Sequence, residues 1–543
     1  MQFHAIWLAI AGLQSSHWEG TRGIPKHKSG GSPRTDVSRP MGQSTGDETS
    51  RCSSRLDSIM TSSAITPSTT PTKQADRSIS HSPSSNTCRD NPWNKKYILT
   101  LDGGGVRGLS TLYIIQQLMV LCSSFEQSQD PLVQSSFHPR QFEEGQGSNV
   151  GNENSGSTKF LPVHYFDYVA GTSTGGLIAI MLSRLRMNID DCIREYQDFG
   201  EKIFGQPRKL SMRGPIPWNR EKYDHRKLEE VIKDVVKRRD WKQDQFTDSV
   251  FYSNPERCRT IVFAVRENAS ANAPYLFRTY EHLKSQSNSC EELNPGRPHY
   301  IPIWQIARAT TAAPTYFKPS QINKERFVDG GYGYNNPTLR AFSEVEQVHG
   351  EGTTALILSI GTGRPTKVAP IARKDSGLIN RYRQMIKYTA ATTTDSEPIH
   401  EHVKGLTSGR CTYERLNVDG GLGDINLGEW RIHNKKNMTL ETIREQTLAY
   451  LDQPEVSIRM EKVAKMLVKN RQERSRTPRW DIVATGHRYH CPEGCDKEMI
   501  FTREDDLRAH LCGAHGFSST PRDSDEWIRL EKAINTGRIL HAD

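Results

Sequence analysis

Gly171-Thr172-Ser173-Thr174-Gly175 sets a serine between two glycines, after the apolar run Tyr168 to Ala170 and before the apolar segment Leu177 to Leu185. A serine hydroxyl is a weak nucleophile until a base takes its proton and backbone amides hold the charge that develops on the substrate oxygen. A strand-turn-helix corner lifts the hydroxyl clear of the chain, and only small residues at Gly171 and Gly175 let the backbone turn so tightly. The helix that follows points its first amides at the same spot and favours negative charge there. Taken alone, the pentapeptide is equally a glycine-rich loop with a chance serine.

A second corner precedes it. Tyr97 to Leu101 reads as a buried strand, runs into Asp102-Gly103-Gly104-Gly105-Val106-Arg107-Gly108, and continues as the apolar helix Leu109 to Leu121. Gly103, Gly105 and Gly108 match the dinucleotide-binding spacing, which asks for an acidic residue about 20 positions on at the end of another strand. Glu126 stands near that distance but in a Ser/Gln-rich stretch with no strand before it. Three consecutive glycines let successive amides converge on one oxygen, so Gly103, Gly104 and Gly105 suit an oxyanion better than a pyrophosphate. Arg107 would brace that loop or meet an anionic group.

Asp102-Gly-Gly-Gly-x-Arg-Gly108, Gly171-Thr-Ser-Thr-Gly-Gly176, and Asp329-Gly330-Gly331 followed by Asn335-Asn336-Pro337 occur in the order seen in patatin-like phospholipases, and residues 95 to 365 resemble that family. Ala312-Ala313-Pro314-Thr315-Tyr316-Phe317 and Ser359-Ile360-Gly361-Thr362-Gly363 look like further landmarks, with weaker echoes in Arg415-Leu416-Asn417 and Leu427-Gly428-Glu429-Trp430. The resemblance implies a three-layer α/β fold with a mainly parallel central sheet, and a Ser-Asp dyad with Ser173 as nucleophile and Asp329 as its base. Asp102 and Asp419 also precede paired glycines; the first reads as a turn stabiliser, and the second lacks the Asn-Asn-Pro that follows Asp329. A histidine base would have to come from His164, His225, His282 or His299, none in a triad-like context.

A third constellation lies near the C-terminus. Cys491-x3-Cys495 is followed by Phe501, Leu507, His510 and His515, the order of a Cys-Cys-His-His zinc finger with its small apolar core. The cysteine spacing of three and the 14 residues from Cys495 to His510 depart from the usual pattern, and Cys512 is a competing thiol. Four protein ligands leave no open position, so such a zinc would be structural. One finger reads only about three base pairs, which argues against DNA as its target and leaves a protein or an acidic lipid.

These motifs need elements to carry them. Of 543 residues 35% are hydrophobic, and the mean hydropathy is −0.68, too low for a chain folded throughout. The Ser/Thr/Pro-rich stretch 1–92 is expected to be a disordered tail, followed by a catalytic domain over 93–370 with a polar surface insertion at 123–160. A helical extension over 371–480 and a finger over 486–518 complete the domain plan. Strand candidates Thr260 to Val265 and Thr354 to Ile360, helix candidate Ile303 to Ala312 and the loop Phe327 to Pro337 fit a parallel sheet covered on both faces. Thr439 to Leu451 and Ile458 to Val468 carry the clearest helical periodicity.

Ten irregularly spaced cysteines indicate a reducing compartment. No run of 18 apolar residues spans a membrane. Ala5 to Leu13 imitates a signal-peptide core, but no Lys or Arg precedes it. A net charge of +9 fits an anionic partner, and the basic run Arg208 to Lys242 would hold an anionic bilayer unless it is merely a solvated face. The expected function is a lipid acyl hydrolase of phospholipase A type, cleaving glycerolipid esters without calcium or another catalytic cofactor. It would be cytoplasmic and peripherally membrane-associated; no D-x-D-x-D-G calcium loop occurs. The alternatives are a non-enzymatic adaptor using the finger and tail, and a nucleotide-dependent enzyme using Gly103 to Gly108.

Overall fold

The computed structural model describes residues 91–131, 133, 135–137, 160–207, 221–239, 249–267, 274–282, 293–294, 296–297, 299–314, 316–366, 396–434, 436–484, 486–495, 499–501, 504–518 and 525–540. All but the last two residues of the expected tail 1–92 lie outside these, as do most of the insertion, residues 367–395, and Lys209, Arg213 and Arg220 of the basic run.

An eight-stranded mixed sheet forms the centre. β1 (Lys96–Leu101) lies between β2 (Tyr168–Thr172) and β7 (Thr354–Ile360), β3 (Arg259–Arg266) flanks β2, and β8 (Thr412–Leu416) flanks β7, all parallel. Three antiparallel strands finish one edge: β4 (Pro274–Arg278) and β6 (Glu325–Asp329) pair with β3, and β5 (Ser320–Ile322) pairs with β6. Side chains alternate between two apolar layers: Ile98, Tyr168, Ala170 and Ile357 face one, and Leu99, Leu101, Val169 and Leu358 the other. The expected loop Phe327 to Pro337 therefore begins as a strand.

The larger layer is built on α1 (Gly108–Gln129), α2 (Thr174–Ala179), α3 (Ile189–Ile203), α4 (His225–Arg239) and α5 (Ile303–Thr310); α6 (Thr338–His349) covers the other face. α1 runs beyond Leu121 into the expected insertion because one face of that stretch, Cys122, Ser123 and Glu126, is buried while Gln127 to Gln129 face solvent. Glu126 there accepts from Arg471 Nη2 at 2.6 Å and from Gln472 Nε2 at 2.9 Å. By length and composition residues 105–129 could cross a membrane, yet α1 is largely packed into the core.

α7 (Ser396–Thr407), β8, the β9–β10 hairpin (Ile432–His433, Lys436–Asn437), α8 (Met438–Leu451), α9 (Pro454–Ser475) and α10 (Arg479–Ala484) follow. The helical extension expected over 371–480 also contributes a strand to the main sheet, and α8 and α9 put Ile443, Met460, Val463 and Leu467 into the larger core. Beyond α10, β11 (His487–His490), β12 (Ile500–Phe501) and α11 (Glu504–His515) form the finger. It does not stop at 518: α12 (Asp525–Gly537) buries Leu530, Ala533 and Ile534 with Tyr489, Cys491, Leu507 and Leu511, and β13 (Arg538–Leu540) pairs with β11.

Candidate active site

Ser173 stands between β2 and α2 with φ 55° and ψ −127°, in a region that a residue with a side chain rarely adopts. The strain is held from all sides. A Cβ on Gly171 would lie 2.1 Å from the Gly175 carbonyl oxygen, and one on Gly175 would lie 2.4 Å from that of Leu101, so neither position admits a side chain. The Ser173 amide donates to Thr310 Oγ1 at 2.8 Å, which in turn donates to the Phe263 carbonyl at 2.7 Å. The helix expected to Leu185 is α-helical only to Ala179 and continues as a π-turn over Ile180–Arg184. There Ser183 Oγ bonds the Ala179 carbonyl at 2.6 Å, a side-chain bond that competes with regular helix pairing.

β6 runs against β3 and ends at Asp329, which pairs with Ala264, one residue past the partner of Thr172. That register brings a carboxylate to the elbow: Ser173 Oγ donates to Asp329 Oδ2 at 2.5 Å, Asp329 is fully buried, and Ser173 is 7% exposed. Asp329 Oδ1 accepts the Gly331 amide at 2.7 Å, which fixes the rotamer. The rival carboxylates are placed elsewhere. Asp102 is buried against Arg415, with Oδ2 2.7 Å from Nη2, and Asp419 is exposed beside Gly420 and Gly421, both in left-handed conformation. The histidines are committed to other partners: His164 to Ser136 and the Ala484 carbonyl, His282 to Glu344, and His299 to Tyr275 and the Arg278 amide. His225 opens α4. Glu126, tied to Arg471 at the end of α1, presents no carboxylate to a ribose.

The glycine loop faces the elbow. A Cβ on Gly103 would lie 2.9 Å from Ser173 Cβ, and one on Gly105, at φ 56°, would lie 2.0 Å from the Leu427 carbonyl oxygen. The Gly103 amide meets the Asn335 carbonyl at 3.3 Å and the Gly104 amide meets Thr174 Oγ1 at 3.2 Å, both long enough to yield to a better acceptor. Among the described residues no partner falls to the Gly105 amide. Arg107 is buried and braces the loop, its Nη1 donating to the Gly423 carbonyl at 2.6 Å and its Nε to the Gly104 carbonyl at 3.3 Å. An apolar cavity of about 40 Å³ lies along the helix that follows the elbow, lined by Leu177, Ile180, Met181, Tyr196, Phe199 and Ile303.

The described part of the basic run is partly neutralised. Arg238 bonds Glu195 at 2.6 and 2.9 Å and Asp234 at 3.0 Å, Arg239 pairs with Asp191 and Glu195, and Lys233 lies 4.0 Å from the Trp304 ring centroid. Arg226, Lys227 and Lys237 remain on the surface.

In the finger, the ligand atoms of Cys491, Cys495, His510 and His515 all lie within 4.8 Å of one another. His510 Nε2 and His515 Nε2 are 3.2 Å apart; His515 Nε2 is 3.3 Å from each sulfur, and His510 Nε2 is 3.5 Å from Cys495 Sγ. A tetrahedral zinc bound at ordinary Zn–N and Zn–S lengths separates its ligand atoms by roughly 3.3–3.8 Å, so this donor set fits that ion in size, number and chemistry. Cys512 stays outside the set.

A family model described as patatin-like phospholipase matches residues 99–342. The chain is 24% identical over 394 residues to calcium-independent phospholipase A2-gamma of Rattus norvegicus, covering 70% of this chain and 42% of that one. It is 28% identical over 295 residues to the 85/88 kDa calcium-independent phospholipase A2 of Mus musculus, covering 52% and 29%. To the intracellular phospholipase A2 of Caenorhabditis elegans it is 28% identical over 318 residues, covering 56% and 23%. The chain therefore spans less than half the length of these relatives.

Proposed function

We propose, from the patatin-like phospholipase domain carried by residues 99–342, that the chain is a serine acyl hydrolase of phospholipase A type acting on glycerolipid esters. The observation that carries this reading is the 2.5 Å bond from Ser173 Oγ to the buried Asp329 carboxylate at a strained strand-to-helix corner. The names of the relatives, all phospholipases A2, point to phospholipid.

Ser173 Oγ attacks the ester carbonyl carbon as Asp329 Oδ2 takes its proton. The carbonyl electrons move onto the oxygen, which the amides of Gly103, Gly104 and Gly105 receive in place of Asn335 and Thr174. The oxygen of the leaving lysolipid takes the proton from Asp329 as its bond to carbon breaks, leaving an acyl-Ser173. A water then attacks that acyl carbon, Asp329 accepts its proton and returns it to Ser173 Oγ, and the fatty acid departs. The apolar cavity along the helix after Ser173 would receive part of the acyl tail. The route asks for no calcium. Cys491, Cys495, His510 and His515 would hold a structural zinc that folds the finger and takes no part in these steps. We place the enzyme in the cytoplasm, drawing substrate from a membrane surface it touches peripherally, with the finger free to engage a protein partner.

Ser173→Ala and Asp329→Asn should each remove release of fatty acid from labelled phospholipid vesicles in excess chelator, by roughly 10³-fold or more, with unchanged circular dichroism. A fluorophosphonate should label Ser173 in the native chain. Activity retained in either variant would overturn the assignment.

A further inference from the structure

The amides of Gly103 to Gly105 can receive an oxyanion only if the loop holds still, and three glycines have the least intrinsic reason to do so. Its fixed points must come from elsewhere. The first residue of the loop, Asp102, is buried, and its carboxylate is gripped by the Arg415 guanidinium, with Nη2 to Oδ2 at 2.7 Å and Nη1 to Oδ1 at 3.4 Å. Arg415 belongs to β8, beyond the matched residues 99–342.

The same guanidinium has a second attachment. Its Nη1 donates to Ser359 Oγ at 2.8 Å; that oxygen lies 2.9 Å from Thr338 Oγ1, which donates to Asn336 Oδ1 at 2.5 Å and lies 2.7 Å from Thr100 Oγ1. Asn336 stands in the turn that follows Asp329. One buried cation therefore ties the loop that would hold the oxyanion to the loop that carries the base. A lysine could supply the charge but not the fork that meets Asp102 and Ser359 together.

We infer that Arg415 is a positioning residue for acyl transfer, setting the glycine loop of Asp102 and the turn after Asp329 at the spacing the reaction needs. The inference rests on the acyl-hydrolase reading above. Segment 412–428 is then a working part of the site, since the Gly423 carbonyl also holds Arg107 and the Leu427 carbonyl accepts the Val106 amide at 2.9 Å.

The test uses the full chain and a soluble short-chain ester, reading kcat, KM, the rate of fluorophosphonate labelling at Ser173, and melting. Misplaced oxyanion donors lower the rate of bond making and leave ground-state binding alone. Arg415→Met should lower kcat about 100-fold with KM within about threefold of the native value, and labelling should slow in parallel. Arg415→Lys should recover about tenfold of that loss, because it keeps the charge beside Asp102. Adding Asp102→Asn to Arg415→Met should cost little more, as expected of residues acting as one unit. A kcat within about threefold of native in Arg415→Met, or a change confined to KM, overturns the inference. Should Arg415→Met fail to fold, Ser359→Ala keeps the Asp102–Arg415 ion pair and breaks the bridge that runs from Arg415 to Thr338. With the Ser359 hydroxyl gone, its bonds to Arg415, Thr338 and Tyr413 go together while the Asp102 pair stays; kcat should fall about fivefold, and a native kcat overturns the inference. Labelling of the native chain at a residue other than Ser173 would instead sink the hydrolase reading itself.

Discussion

The elbow and the finger are held together by opposite means. Around Ser173, a strained residue is imposed by a large core: the sheet, α1, α2 and α5 bury side chains on every side, and the backbone closes on Gly171 and Gly175 with no room for a Cβ. In the finger, seven of the described residues are buried in the core, with Phe501 and Phe517 packed beside them, and the four potential ligand atoms of Cys491, Cys495, His510 and His515 stand clustered at its edge. A large core can sustain a strained residue at a functional site, whereas a small one gains from any cross-link that a metal on such a donor set would supply.

The sharpest way to break that contrast is to relieve the elbow. Gly175→Ala sets a Cβ against the carbonyl oxygens of Leu101 and Asp102, at 2.4 and 2.6 Å, and neither can withdraw without shifting β1. Ester hydrolysis should fall by more than about 100-fold and the melting temperature should drop, since the site must deform or the chain must absorb several kcal/mol of overlap. Native kcat in Gly175→Ala would mean that the close-packed elbow is not the reacting geometry.

The elbow was legible because its chemistry is local. Gly171, Ser173 and Gly175 are neighbours in sequence, and Asp329 carries its own flag in the glycines and asparagines that follow. What the sequence hid depends on distant partners. β8 contains Glu414 and Arg415, which do not read as a strand of a buried sheet, and Arg415 is buried because Asp102, 313 residues earlier, and Ser359 receive it. The end of α1 looks like the start of a polar insertion until Arg471 is seen beside Glu126. The antiparallel entry of β6, which brings Asp329 to Ser173, leaves no mark in composition. In the finger, Cys491, Cys495, His510 and His515 could be read by spacing, but α12 and β13 could not, because they complete the fold from outside the motif.

An intermediate effect is expected from the finger itself. Cys491→Ser, or a strong chelator on the native chain, should release zinc measurable by elemental analysis and raise amide exchange across β11, β12 and α11. The module leans on the rest of the chain through α10, where Asp481 Oδ2 accepts the Glu504 amide at 2.9 Å, and among the described residues none of its hydrogen bonds reaches Ser173, Asp329 or the glycine loop. Hydrolysis of a soluble ester should therefore stay within about threefold of native. Activity lost with the metal and restored by its return would reverse the comparison, making the small module a condition of the large one. No zinc in the native protein would remove the metal from it.

The smallest effect concerns the edge of the sheet beside the site, where stability depends on protons rather than on strain or metal. His299 accepts the Arg278 amide at 3.1 Å, and burial pushes its pKa down to about 4. A histidine whose folded pKa lies below its unfolded value is neutral in the native state and takes up a proton on unfolding. Its contribution is fully present above about pH 6.5 and is lost as the pH falls towards 4. A shift of that size sets an upper bound of about 3 kcal/mol, and partial solvent access to the ring brings the expected figure nearer 1 or 2. His299→Asn keeps a neutral acceptor for the Arg278 amide and cannot be protonated, so its melting temperature should fall less steeply than the native value between pH 6.5 and 4. Near pH 7.5 it should start about 1 kcal/mol lower, from the lost ring packing against Phe277 and Tyr275. Parallel melting curves across that pH range would show that His299 contributes nothing to the acid sensitivity of the sheet, which other buried imidazoles would then supply, such as His349 beside Tyr168, whose pKa burial also lowers to about 4.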